Sequence, residues 1–127
     1  MKTIKSKSEH RLIVDVVMNG KSLPMLIDTG ATVSLISNKV KGLVFDTKRP
    51  DVPLEGIGGA SSGRRVITPA TIGGRAINQF VATDIDNIRK SIARETGIRI
   101  EGVVGLKQLR FAGVVINTDS GDIMVPE

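Results

Sequence analysis

Cysteine, tryptophan and tyrosine are missing from this chain, which carries one histidine and three phenylalanines in 127 residues. Without cysteine there is neither a disulfide framework nor a thiol nucleophile. With His10 as the only imidazole, set in a lysine-rich N-terminal stretch, a Ser/His/Asp triad has only a peripheral base, and a zinc cluster lacks its usual ligands. The scarcity of aromatic rings removes the stacking platform of single-strand nucleic-acid binders. No apolar run approaches the roughly 20 residues of a membrane span, and the short run 12–18 is broken by Asp15, unlike the core of an export signal. These absences predict no nucleic-acid partner, no membrane segment in the chain, and a cytoplasmic location.

What is present points to one small, turn-rich domain. With 40% hydrophobic residues the chain has enough apolar material for a single core, and at this length about two thirds of the unfolded surface is buried on folding. Fourteen glycines, five prolines and only short apolar runs predict short strands joined by turns, a mainly β architecture rather than a helical bundle. The net charge of +5 is dispersed over Lys2, Lys5, Lys7, Lys39, Lys41, Lys48, Arg49, Arg64, Arg65 and the 89–99 region. A solvated basic surface accounts for that spread better than a nucleic-acid footprint, which gathers charge on one stripe.

Along the chain, residues 1–10 read as a polar, frayed segment, or one that adds a strand at a dimer interface, ahead of a domain over 11–127. β-Branched residues at 11–18, then Asn19-Gly20, then an apolar 23–27 predict a hairpin closed by a type I′ turn. Residues 33–36 read as a buried strand, 38–41 as a single helical turn, and 46–53, with Pro50 and Pro53, as a loop. A stretch of small residues leads to a strand at 64–68, and 70–72 and 76–83 bracket a Gly73-Gly74 turn. The period then changes, placing Ile85, Ile88 and Ile92 on one face of a helix over 84–96 that Gly97 stops. A strand at 98–104, a short helix at 106–112 and a hairpin of 113–117 with 122–125 complete the chain.

Chemistry concentrates at Leu26-Ile27-Asp28-Thr29-Gly30-Ala31. Apolar residues run straight into Asp28 and resume at Val33-Ser34-Leu35-Ile36, which would leave one carboxylate partly buried at the apex of a hairpin. Such a carboxylate needs hydrogen-bond donors, and the Thr29 hydroxyl and Gly30 N–H are at hand. An Asx-turn without catalytic duty uses the same residues, so the triplet acquires meaning from its context.

That context resembles the retropepsin-like, single-lobe aspartic peptidases. Three elements carry the resemblance in the family's order: Leu26-Ile27-Asp28-Thr29-Gly30-Ala31, similar to its catalytic loop; Gly56-Ile57-Gly58-Gly59, similar to its flap; and Val103-Val104-Gly105, then a short helix and Gly113-Val114-Val115-Ile116-Asn117, similar to the segments bracing the loop. The resemblance implies an all-β, pepsin-like half-barrel with one inserted helix and a short C-terminal helix. It also implies an aspartic endopeptidase acting on a peptide or protein substrate without a metal or organic cofactor. Asp28 would be the catalytic carboxylate, Thr29 the residue locking onto the other subunit's loop, Gly30 the turn allowing close approach, and Ala31 part of the same support. Gly56, Ile57, Gly58, Gly59 and Ala60 would form the flap over the substrate. The chemistry needs two carboxylates around one water, and the single usable copy implies a homodimer. The helix at 84–96, an insertion relative to minimal viral members, suggests a cellular or bacterial one.

Other motifs are better explained without chemistry. Asp119-Ser120-Gly121 matches a variant of the catalytic triplet, but only six residues follow Gly121, too few to hold a second active loop, so it reads as a hairpin turn. The glycines at 56–63 lack the third glycine of a dinucleotide fingerprint and the Lys-Ser/Thr of a P-loop, which argues against nucleotide binding. The alternative that survives is a non-catalytic retropepsin-like module using the same groove or dimer face for peptide binding or assembly.

Overall fold

In the computed structural model, which describes residues 1–55 and 61–127, the central apolar segments form strands buried on both faces. The elements run β1 (Lys2–Ile4), β2 (Ile13–Met18), β3 (Lys21–Asp28), β4 (Leu35–Ser37), β5 (Val52–Leu54), β6 (Ser61–Val66), β7 (Ala70–Ile72), β8 (Arg75–Ala76), β9 (Phe80–Thr83), α1 (Asp86–Thr96), β10 (Gly102–Gly105), α2 (Leu106–Ala112), β11 (Val115–Asn117) and β12 (Asp122–Val125). Among the described residues nine strands form one sheet in the order β5-β6-β9-β4-β10-β3-β2-β7-β8, and β1-β12-β11 form a second. The architecture is the all-β, single-lobe pepsin-like fold.

Alternation along the central strands divides the core into two layers. Met25 and Ile27 of β3, Ile36 of β4, Phe80 and Ala82 of β9 and Val104 of β10 pack into one cluster, with Leu109 and Ala112 of α2. Leu26, Leu35, Val81 and Val103, their neighbours in sequence, point the other way and pack with Ile85 and Ile92 beside α1. Because a strand turns successive side chains to opposite faces, covering both faces requires apolar residues at consecutive positions.

The site is positioned by one long-range crossing. Strands β3 and β4 are consecutive among the strands, yet β10 lies between them, parallel to β3 and antiparallel to β4. Glycine makes this possible: a Cβ on Gly102 would meet the Leu35 carbonyl oxygen at 2.5 Å, and one on Gly105 the Ala31 carbonyl oxygen at 2.6 Å.

Several local expectations hold and others are corrected. Asn19 and Gly20 take φ of 53° and 74°, as a type I′ turn between β2 and β3 requires. The N-terminal segment is not simply frayed, since β1 pairs antiparallel with β12 of the same chain. Residues 38–41 form no helix; the Ser37 hydroxyl accepts the Lys39 N–H at 3.2 Å, a local bond that competes with helical pairing. The loop expected over 46–53 ends in β5, where Pro53 is tolerated because β5 is an edge strand. The strand expected at 76–83 is split between β8 and β9, with Gln79 between them at a φ of 74°. The strand expected at 98–104 is confined to its end, β10. Among the described residues no helix is long and apolar enough to cross a membrane.

Candidate active site

Asp28 is the last residue of β3, carried to the sheet's end by the buried Met25, Leu26 and Ile27. There the backbone turns, with the Ala31 N–H donating to the Asp28 carbonyl oxygen at 3.1 Å. The Gly30 N–H donates to Asp28 Oδ1 at 2.9 Å and so orients the carboxylate. Space is tight, because a Cβ on Gly30 would lie 3.2 Å from that oxygen.

The loop is braced from behind by β10 and α2. Gly105 stands opposite Asp28 in the parallel register, the Gly105 N–H donates to the buried Ser34 hydroxyl at 2.9 Å, and the Leu106 N–H donates to the Ala31 carbonyl at 3.0 Å. A buried hydroxyl is tolerated where it is hydrogen-bonded, and Ser34 meets that condition. Ser34 was not expected as a site residue; a single polar residue within Val33-Ser34-Leu35-Ile36 was the signal available.

Asp28 itself is exposed in the single chain rather than partly buried, and so are Thr29 and Gly30. Among the described residues the Thr29 hydroxyl has no hydrogen-bond partner, while Ala31 is half-buried against the second core layer. The positions expected to form a flap, Gly56, Ile57, Gly58, Gly59 and Ala60, lie outside the described residues. Their flanks, β5 and β6, pair antiparallel with Leu54 opposite Ser61.

In front of the loop lies a groove of about 600 Å³ that contains Asp28, Gly30 and Ala31. Leu26, Leu35 and Val103 contribute from the sheet, Pro53 and Leu54 from β5, and Ile88 and Ile92 from α1, with Arg11 and Glu55 also lining it. It is the place where the second core layer opens to solvent. The helical period had put Ile88 and Ile92 on one face; only the fold shows that this face reaches the groove. Among the described residues no three His, Asp or Glu side chains converge as a metal ion would need.

The helical wall is held at both ends by charge. Lys39 pairs with Asp86 at the start of α1, and Arg89 bonds Asp86 at 3.2 Å, Glu101 at 3.1 Å and the Ile100 carbonyl at 3.0 Å. Hydrogen bonding from Lys39, the larger effect, and from Arg89 holds the Asp86 carboxyl below its ordinary range against an opposing effect of desolvation. Near the other end Arg11 Nε donates to Glu95 at 2.9 Å. Asp119-Ser120-Gly121 is a hairpin turn between β11 and β12, where the Asn117 side chain accepts the N–H groups of Asp119 and Ser120 at 3.0 and 3.2 Å.

An all-β lobe that presents one oriented carboxylate on a braced Asp-Thr-Gly loop above a groove defines a single-lobe, pepsin-like protein. The chain belongs to the aspartyl protease family, whose model matches residues 14–108, from β2 into α2, and it is retropepsin-like within that group. No curated protein matches the chain.

Proposed function

We propose that the protein is an aspartic endopeptidase whose catalytic pair is made of Asp28 from two copies of the chain. The observation that carries this reading is the Asp28 carboxylate, oriented by the Gly30 N–H yet exposed at the mouth of a groove. One oriented acid does half the chemistry. A second Asp28 across a two-fold axis supplies the other half: the ionised carboxylate takes a proton from water as it attacks the peptide carbonyl, and the protonated one donates to the carbonyl oxygen. No covalent intermediate forms. Exposure of the whole Asp28-Thr29-Gly30 turn suits a surface that a second copy covers.

Cleavage of an unbiased peptide library, with a pepstatin-type inhibitor as control, tests the reading. Wild type is expected to cleave, Asp28→Asn to fold and not cleave, and Asp119→Ala to cleave normally. Mixing Asp28→Asn chains into wild type should depress activity beyond simple dilution, because mixed dimers hold one acid. An unaffected wild-type rate after exchange would rule out a pair shared between two chains. Peptide binding without turnover would return the non-catalytic module.

A further inference from the structure

We infer that a basic subsite beside the groove, formed by Arg65 and Lys107, takes a carboxylate of the peptide a few residues from the cleaved bond. The inference rests on the peptidase reading and adds to it a substrate class, peptides that carry an acidic group at one set position. A second cavity, of about 130 Å³, adjoins the groove of Asp28, and the two share Thr32 and Val33 in their linings. It is smaller than the roughly 300 to 1,000 Å³ of organic-ligand sites, so it suits one side chain or a chain end. Thr32 follows Asp28 by four positions, which bounds their Cα separation at about 15 Å, the span of about five extended residues. One bound peptide can therefore reach both.

The charge of the two cavities differs. Asp28, Glu55 and Arg11 line the groove, whereas among the described residues the smaller cavity is lined by Arg65 and Lys107 and by no acid. Neither cation joins an ion pair among the described residues. Arg65 is half-buried on β6, and its Nε donates to the Pro50 carbonyl at 3.0 Å. That bond fixes the guanidinium and leaves its two terminal nitrogens for the two oxygens of a carboxylate, a fork that needs little further ordering. Gln108 lines the same cavity and is 7% exposed, and its amide, which has no hydrogen-bond partner among the described residues, is not sealed from solvent. A ligand oxygen there would accept the hydrogen bond that a side chain so far buried ordinarily makes.

The test compares wild type, Arg65→Gln, Lys107→Gln and Lys107→Glu on the same peptide library, with circular dichroism and thermal melting to establish folding. Lys90→Gln, which removes an exposed charge of α1 outside both cavities, is the control. Wild type is expected to cleave peptides with Asp or Glu at one position within about five residues of the cut about fivefold faster than their Asn or Gln counterparts, and added salt should shrink that ratio. Arg65→Gln and Lys107→Gln should each lower it, Lys107→Glu should turn the preference toward Lys or Arg, and Lys90→Gln should keep it. Peptides that end at the same position as free acid or amide separate the sources: a free-acid preference assigns the subsite to a substrate's C-terminus, and an internal Glu preference to a side chain. A wild type without acidic preference, or folded, active Arg65 and Lys107 variants that retain it, overturn the inference and leave the peptidase reading standing. Binding of matched Glu and Gln peptides in an Asp28→Asn background gives a readout independent of turnover. A Glu preference that Lys107→Gln removes, without any wild-type cleavage, supports the subsite while removing the peptidase reading, and equal binding of both peptides, or of neither, overturns the inference.

Discussion

Gly105 lies directly opposite Asp28 in the parallel pairing of β10 with β3, and a Cβ at Gly105 would come within 2.6 Å of the Ala31 carbonyl oxygen. The two residues are 77 positions apart in the chain, so the loop that carries Asp28 takes its shape from a strand made much later in the sequence. The conflict is with backbone, which cannot swing aside as a flexible side chain does.

Gly105→Ala should therefore displace the loop as well as strain the fold. Overpacking of this kind costs about 1 to 3 kcal/mol, and a displacement of about 1 Å at a reacting group lowers turnover by about a hundredfold. Urea unfolding alongside peptide cleavage checks both. A variant with wild-type turnover would show that Asp28 does not depend on this close approach.

Ser34 is the second brace. Ser34→Ala leaves the Gly105 N–H buried without the hydroxyl it now donates to, and an orphaned buried group of this kind costs about 1 to 3 kcal/mol. Because the Ser34 hydroxyl faces β10 rather than the groove, the loss should appear in stability and in kcat more than in KM. Ser34→Thr, which keeps the hydroxyl, should recover most of both.

Dilution addresses the pairing of two chains. If the active species is a symmetric dimer, activity per chain falls as the concentration drops below the dissociation constant, and sedimentation shows monomer appearing over the same range. Constant specific activity from a species that sediments as monomer would remove the two-chain dyad.

Acid should loosen α1 through Asp86. Its carboxyl is held below the ordinary range in the fold, so its contribution to stability is fully present above the unfolded carboxylate range and is lost as pH falls through the lowered native value. Asp86→Asn should consequently be less stable than wild type at neutral pH, with the gap closing in acid. Denaturant melts over that range check this, and raising the salt should narrow the gap at neutral pH, since Asp86 and Lys39 are both partly open to solvent. A gap independent of pH would assign the loss to packing instead.

Local chemistry made much of this protein legible from its residues alone. Asn19-Gly20 between β-branched runs specifies a tight hairpin because few other residues take positive φ at both central positions. The short helix at 106–112 and the terminal hairpin follow from period and turn residues in the same way, and Asp28 stood out because apolar segments flank it on both sides in the sequence. The tertiary structure decided what those segments face. That β10 passes between β3 and β4, that Ser34 receives the Gly105 N–H, that β1 returns to β12, and that Ile88 looks onto the groove of Asp28 all depend on pairings between distant residues. Periodicity shows that a side chain is to be buried; which surface buries it is settled only when strands far apart in the chain meet, because those contacts form together.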